Sequence, residues 1–159
     1  MLKLSPKTDM TTTLVRLARH YRLGVDEALT GLGLSDATAL PVVLLGRRPE
    51  GLRQNLLADE LGVEGPSLVR LLDKLVQDGL VERREDPSDR RAKTVHLTKS
   101  GRAQSERASR ALDALRTHLL EDVSSEDLAA CLRVFEQMET RLGAARREHH
   151  DQTSRERQG

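Results

Sequence analysis

Two short groups of polar residues have the types and spacing to grip a polyanion. In PSLVRLLDK, residues 66–74, Ser67, Arg70 and Lys74 recur at three- and four-residue intervals, so on a helix they share one face. A guanidinium in mid-helix offers paired donors to a guanine edge, worth about 1–3 kcal/mol of discrimination. Pro66 and Ser67 stand where backbone N–H groups and a hydroxyl suit a phosphate or a base edge, and Lys74, nearer the helix end, suits a phosphate. In EDPSDRRAK, residues 85–93, an acidic turn leads into Arg90 and Arg91, with Asp89 before them and Lys93 after. Pro87 restricts the turn, so the arginines leave it at a defined place beyond the protein body. Asp89 and Arg91 are two apart and point to the same side of an extended segment, where the carboxylate orients the guanidinium. An acid among cations weakens plain attraction to phosphate, which argues that orientation is its purpose.

The 159-residue chain is of one-domain size, and its formal charge is only +1 with 32% charged residues. The charge is unevenly placed. Between Arg83 and Arg102 there are seven Lys or Arg against three acids, a local +4, so the remainder sums to −3. Such a basic face attracts a polyanion, although a solvated hairpin and helix start would have the same composition. Tyr21 and Phe135 are the only aromatic residues, so there is no platform on which single-stranded bases could stack. Duplex DNA is the nucleic acid such a surface suits. The lone cysteine, Cys131, allows no internal disulfide, and no leader-like or membrane-spanning apolar run is visible, which suggests a reducing cytoplasm.

The elements that must carry these groups follow from periodicity. Met10, Leu14, Leu17, Tyr21, Val25, Ala28 and Leu32 mark a first helix from Asp9 to about Leu32, ended by Gly31 and Gly33. Ser35 caps a second helix to about Gly46, with Pro41 inside it expected to bend or shorten it. A short helix over Gln54–Leu61 turns Leu56, Leu57 and Leu61 inward. Gly62-Val63 form a tight turn, and Pro66 opens a helix whose Leu68, Leu71, Leu72 and Leu75 form a buried stripe closed by Gly79. Two helices joined by a short glycine-containing turn make a helix-turn-helix. Leu80–Arg84 and Lys93–Leu97 read as strands of a hairpin around the turn at residues 86–89. Thr98 caps a helix to about Leu120, and a final helix spans about Ser125 to Leu142. Residues 144–159 are polar and lack a core-forming pattern, which suggests a disordered tail. The fold class is therefore mainly α with a small β-hairpin wing.

The continuous run Gly62–Arg102, GVEGPSLVRLLDKLVQDGLVERREDPSDRRAKTVHLTKSGR, resembles the winged helix-turn-helix of the MarR family of transcriptional regulators, and PSLVR with SDRRAK is similar to its SlyA subgroup. The resemblance implies a homodimer on an inverted-repeat operator, with residues 1–34 and 99–143 as dimerisation helices around a DNA-binding domain at 35–98. Long amphipathic helices at both ends of a short chain agree with this, because they carry more apolar surface than one small core covers. The matching arginine of the DxR pattern, Arg91, would enter a minor groove, aligned by Asp89, with Arg90 and Lys93 at phosphates or the groove edge. The likeness also implies release by a small phenolic or aromatic carboxylate. Arg16 stands at a position similar to a carboxylate-binding one, His20 follows one turn later, and Thr38 lies in the second helix. The alternative for Arg16 is an interhelical salt bridge. The second helix departs from the family's polar and aromatic pocket with Ala37, Thr38, Ala39, Leu40 and Pro41, which leaves a ligand-independent regulator as the alternative.

Other function classes find less support. HExxH, CxxC and a glycine-rich phosphate loop are absent, so no catalytic residue, cofactor or metal site is expected. His149-His150-Asp151 falls in the polar tail and reads as solvated, and Cys131 among Leu128, Leu132 and Phe135 reads as a core residue. A winged-helix module that binds protein would carry an apolar recognition face instead of serine, arginine and lysine.

Overall fold

The computed structural model describes residues 5–86 and 88–156; the side chains of residues 90, 91 and 144–156 lie outside the described set, as does Pro87 with the turn role expected of it. The chain forms two compact units, residues 1–119 and 120–159.

The first unit contains α1 (Pro6–Ala28), α2 (Asp36–Gly46), β1 (Leu52–Arg53), α3 (Gln54–Leu61), α4 (Gly65–Gln77), β2 (Val81–Asp86), β3 (Asp89–Leu97) and α5 (Lys99–Leu119). Helix α1 starts earlier than the apolar pattern indicates, because Ser5 caps it and Pro6 occupies its first turn. It also stops earlier, at Ala28, before the left-handed Gly31 and Gly33. Pro41 does not shorten α2, which reaches Gly46 with Pro41 buried inside it. The one backbone hydrogen bond it forgoes is offset by close packing, since Ala39, Val42, Val43 and Leu45 are buried too.

Its buried residues give α2 two cores to serve. Val42 and Leu45 join Leu57, Leu68, Leu72, Leu75, Val81, Val95 and Leu97 in the cluster beneath the winged segment. Ala39 and Val43 join Val25, Leu29, Ala108 and Leu112 in a second cluster with α1 and α5. In α3, Leu57 is buried but Leu56 is 46% exposed, contrary to the expected inward trio. An eight-residue helix has room for only a narrow buried stripe, and Leu57, Ala58 and Leu61 fill it.

The three strands form one antiparallel sheet in the order β1-β3-β2. Two-residue β1 has no sequence periodicity and was not anticipated; it pairs Leu52 with Val95 and Arg53 with Thr94. The hairpin strands also extend further than expected. Glu85 opposes Lys93, and the next residue, Asp86, opposes Asp89, so residues 90–92 fall within a register shift on β3. Arg90 and Arg91 thus belong to a bulged strand instead of a free tip. At the other end of the hairpin, Thr98 caps α5 by accepting from Gly101 N at 2.9 Å, as expected, and its hydroxyl reaches Gly79 O at 2.7 Å.

The second unit contains α6, Ser125–Glu156. It runs past Gly143 into the segment expected to be a disordered tail. Residues 144–156 are rich in Ala, Arg, Glu and Gln, which propagate a helix without needing a core. Cys131 is exposed, correcting the expectation of a core position: its neighbours Leu132 and Phe135 are themselves 65% and 39% exposed, so this face of α6 is apolar without being buried.

Candidate nucleic-acid interface

Helix α4 presents the first group of cations. Its apolar stripe sinks Leu68, Leu72 and Leu75 into the core, which turns Pro66, Ser67, Arg70 and Lys74 outward, all exposed. The left-handed Gly62 closes α3 and permits the short turn into α4. Glu64 provides no side-chain cap to α4, so its first turn keeps N–H capacity for an outside acceptor. The face is less uniformly polar than the sequence indicates, since Val69 and Val76 are 46% and 41% exposed.

Ion pairing sorts the cations in a way the sequence did not reveal. Lys74 Nζ lies 3.1 Å from Asp78 Oδ2. Arg83 bonds Asp73 at 2.7 Å, Arg84 pairs with Glu82, and Lys93 Nζ is 3.4 Å from Glu85 Oε1. Two charges of the local +4, those of Arg83 and Arg84, are therefore compensated by acids outside the stretch, Asp73 and Glu82. Among the described residues Arg70 makes no hydrogen bond or ion pair, so its guanidinium is available to an outside acceptor. Lys99 carries no ion pair either within that set, and Arg102 donates to Leu97 O at 2.9 Å.

The hairpin carries the second group. Asp89 heads β3 and acts electrostatically on Arg53; the side chains of Arg90 and Arg91 lie outside the described residues. The most extensively hydrogen-bonded polar cluster of the hairpin, Arg53–Asp86–Ser88, was missed at the sequence level. Arg53 Nε donates to Asp86 Oδ2 at 2.6 Å and its Nη2 to Ser88 Oγ at 3.0 Å. Ser88 in turn donates to Asp86 Oδ1 through its N–H, at 2.8 Å, and its hydroxyl, at 2.6 Å. Asp86 is only 7% exposed. The Arg53 hydrogen bond, followed by those from Ser88, holds its carboxyl well below the usual carboxylate range. Arg53 lies 33 residues away from Asp86, and the signal that could have suggested the pair was an arginine directly before a helix together with an acid at a turn.

Two of the residues expected around an effector lie on α1 and the third at the start of α2. Arg16 and His20 lie one turn apart on exposed positions of α1, and Arg16 bonds only Thr13 Oγ1, at 3.4 Å, so the interhelical salt bridge, the alternative to a ligand role, does not form among the described residues. Thr38 is buried. Its Oγ1 accepts from Ser35 N at 2.8 Å and donates to Ser35 O at 3.2 Å, completing the start of α2. Among the described residues no group of three or more His, Cys, Asp or Glu could hold a metal ion, and no helix is long and apolar enough to cross a membrane. His149, His150 and Asp151 have side chains outside that set.

Comparison with known proteins places this geometry. The MarR family sequence profile matches residues 32–92, a span that contains β1, the helix-turn-helix and the bulged arginines. CouR from Rhodococcus jostii RHA1, solved with bound p-coumaroyl-CoA, is 27% identical, with 86% of this chain and 95% of that one covered and a TM-score of 0.78. The transcriptional repressor CouR bound to a 23-mer DNA duplex is also 27% identical, with 87% and 98% covered and a TM-score of 0.73. MepR of S. aureus in complex with DNA shares the fold at 22% identity, with 88% and 99% covered and a TM-score of 0.77. Because the profile match coincides with the winged segment and the structural matches extend over most of both chains, residues 32–92 are a MarR-family winged-helix segment and the chain as a whole shares the fold of MarR-family transcriptional regulators.

Proposed function

We propose that this regulator binds duplex DNA sequence-specifically as a homodimer on an inverted repeat. Helix α4 enters the major groove, with Arg70 reading a base edge, Ser67 and the Pro66 turn meeting phosphate or a base edge, and Lys74 at a phosphate. The wing supplies Arg91 to the minor groove, oriented by Asp89, with Arg90 and Lys93 at the groove edge. The observation that carries this reading is the contrast on the exposed face: Lys74, Arg83, Arg84 and Lys93 are paired with acids, while Arg70 has no such partner among the described residues. An unengaged guanidinium at the middle of a recognition helix has two parallel donors to offer a guanine. Selection of bound sequences from a random duplex pool, followed by salt-dependent mobility shifts, tests it. Arg70→Ala is expected to lower affinity for the selected duplex by about 1–3 kcal/mol and leave random duplex much less affected; equal losses on both would refute base readout.

A second reading adds release by a small phenolic or aromatic carboxylate. It is supported by the exposed Arg16–His20 pair and by a relative solved with an aromatic acyl thioester, p-coumaroyl-CoA. Thr38 contributes packing and a helix start in this reading, with no ligand contact, because its hydroxyl is already engaged. Titration of salicylate-like acids into the protein–DNA complex should release DNA, and Arg16→Ala should abolish that release. Retention of the complex at millimolar acid would overturn the second reading and leave the first intact.

A further inference from the structure

The sheet carries a device that neither the helical periodicity nor the arginine motif announces. Arg53 serves two structures at once. Its backbone is the N-cap position of α3 and pairs with Thr94 of β3, and its side chain crosses to Asp86 at the end of β2. Asp86 is the residue at which the β2–β3 register shifts, so the ion pair sits at the base of the segment 90–92 that bears both wing arginines. Three donors, Arg53 Nε, Ser88 N and Ser88 Oγ, converge on this one nearly buried carboxylate, and Arg53 Nη2 closes the ring on Ser88 Oγ. A surface ion pair between two mobile side chains contributes little. This one is different in kind, because its acid is buried and its hydrogen bonds join a helix start, a strand end and a turn. Bulges re-aim the strand that carries them, and a bulge at the end of a hairpin points wherever its base is held.

We propose that Arg53 is a positioning residue for the wing: by clamping Asp86 and Ser88 at the register shift, it sets the direction in which the Arg90–Arg91 segment leaves the sheet and ties that direction to the helix-turn-helix. The inference rests on the DNA-binding reading above and assigns Arg53 no contact with DNA. Its consequence is coupling between the two reading elements, since a shift of α3 moves Arg53 and with it the wing base. Rigid holding matters because an arginine that must order itself on binding loses part of what the contact contributes.

The sign of one charge change tests the proposal. Asp86→Asn removes a negative charge close to the bound polyanion, so on electrostatics alone it should tighten binding. If Asp86 serves the clamp, it should instead weaken binding to a duplex recovered from a random pool by about tenfold, roughly 1.4 kcal/mol. It should also reduce the preference for A·T over G·C pairs in the flanks, and in an Arg91→Ala background it should have little further effect, because contacts that act as a unit are not additive. Arg53→Lys keeps the charge but cannot reproduce both donor directions, and it should follow Asp86→Asn. Ser88 is exposed, so Ser88→Ala deletes two of the hydrogen bonds at no change of charge. It should lower flank preference in a protein that remains folded, and it decides the matter if Asp86→Asn does not fold. Unchanged or tighter binding by folded Asp86→Asn, with Arg53→Ala weakened, would make Arg53 a direct phosphate contact and overturn the clamp. Failure of the parent protein to bind any duplex at low salt would instead overturn the DNA-binding reading itself.

Discussion

Arg91 and Asp86 show how much a single side chain is asked to do in the wing. With Arg91 assigned to the minor groove, Arg91→Ala should lose about tenfold affinity, roughly 1.4 kcal/mol, for a site flanked by A·T pairs. Arg90→Ala should lose clearly less, and Asp89→Asn should reproduce part of the Arg91 loss with almost no change in melting temperature. Equal losses at 90 and 91 would refute the assignment. Asp86 yields a prediction about stability. Its folded pKa is depressed, first by Arg53 and then by Ser88, so as pH falls the unfolded chain takes up the proton first. The carboxylate's contribution is complete above an ordinary carboxylate pKa of about 4 and is lost below it, toward the lower folded value. The melting temperature of the parent protein should therefore decline below about pH 4 more steeply than that of Asp86→Asn; parallel acid limbs would count against the ion pair.

Elements meet most tightly where α5 leaves the sheet. Thr98 N–H donates to Leu80 O at 3.1 Å, and the Thr98 hydroxyl bridges Gly79 O and Gly101 N. A Cβ on Gly101 would collide with the Leu80 carbonyl oxygen, a backbone atom that cannot rotate away. Gly101→Ala, ordinarily favourable inside a helix, should here destabilise by about 1–3 kcal/mol, read as a lowered urea midpoint; an unchanged or raised midpoint would show that the first turn of α5 has slack. The same logic explains α2. A helix apolar on all sides can tolerate an internal proline, because its place is set by two cores and not by its own hydrogen-bond ladder.

At the scale of the whole molecule, unburied apolar surface is the main feature still to be matched. Helix α1 exposes Val15, Leu17 and Leu23 at 74%, 57% and 59%, and α6 exposes Leu132 and Leu142 at 65% each. Patches of this kind mark association surfaces, and a second copy of the chain is the occupant proposed here. Light scattering at micromolar concentration should give the dimer mass. Replacing Leu132 and Leu142 together by glutamate should produce a monomer with greatly weakened operator binding, because two recognition helices about one DNA turn, roughly 34 Å, apart are needed to read an inverted repeat. A monomeric parent protein that still bound its operator tightly would refute this organisation.

Periodicity and punctuation made the helical frame, the helix-turn-helix and the existence of the wing legible in the sequence, because each depends on residues within a few positions of one another. The leucine stripe determined which face of α4 is buried and so which face presents Arg70; Thr98 and Gly62 announced their caps and turns for the same local reason. The burial of α2 against two cores, the narrow stripe of α3 and the helical continuation of α6 were not readable, since each depends on what packs against an element or on propensity without a core. Tertiary structure alone decided β1, the bulge at 90–92, which cations are spent on neighbouring acids, and the Arg53–Asp86 clamp. The β1–β3 pairing, the Arg83–Asp73 ion pair and the Arg53–Asp86 clamp join residues 10 to 43 positions apart, and no periodic pattern records a partner at such a distance; only the folded chain brings the two ends within reach of a hydrogen bond.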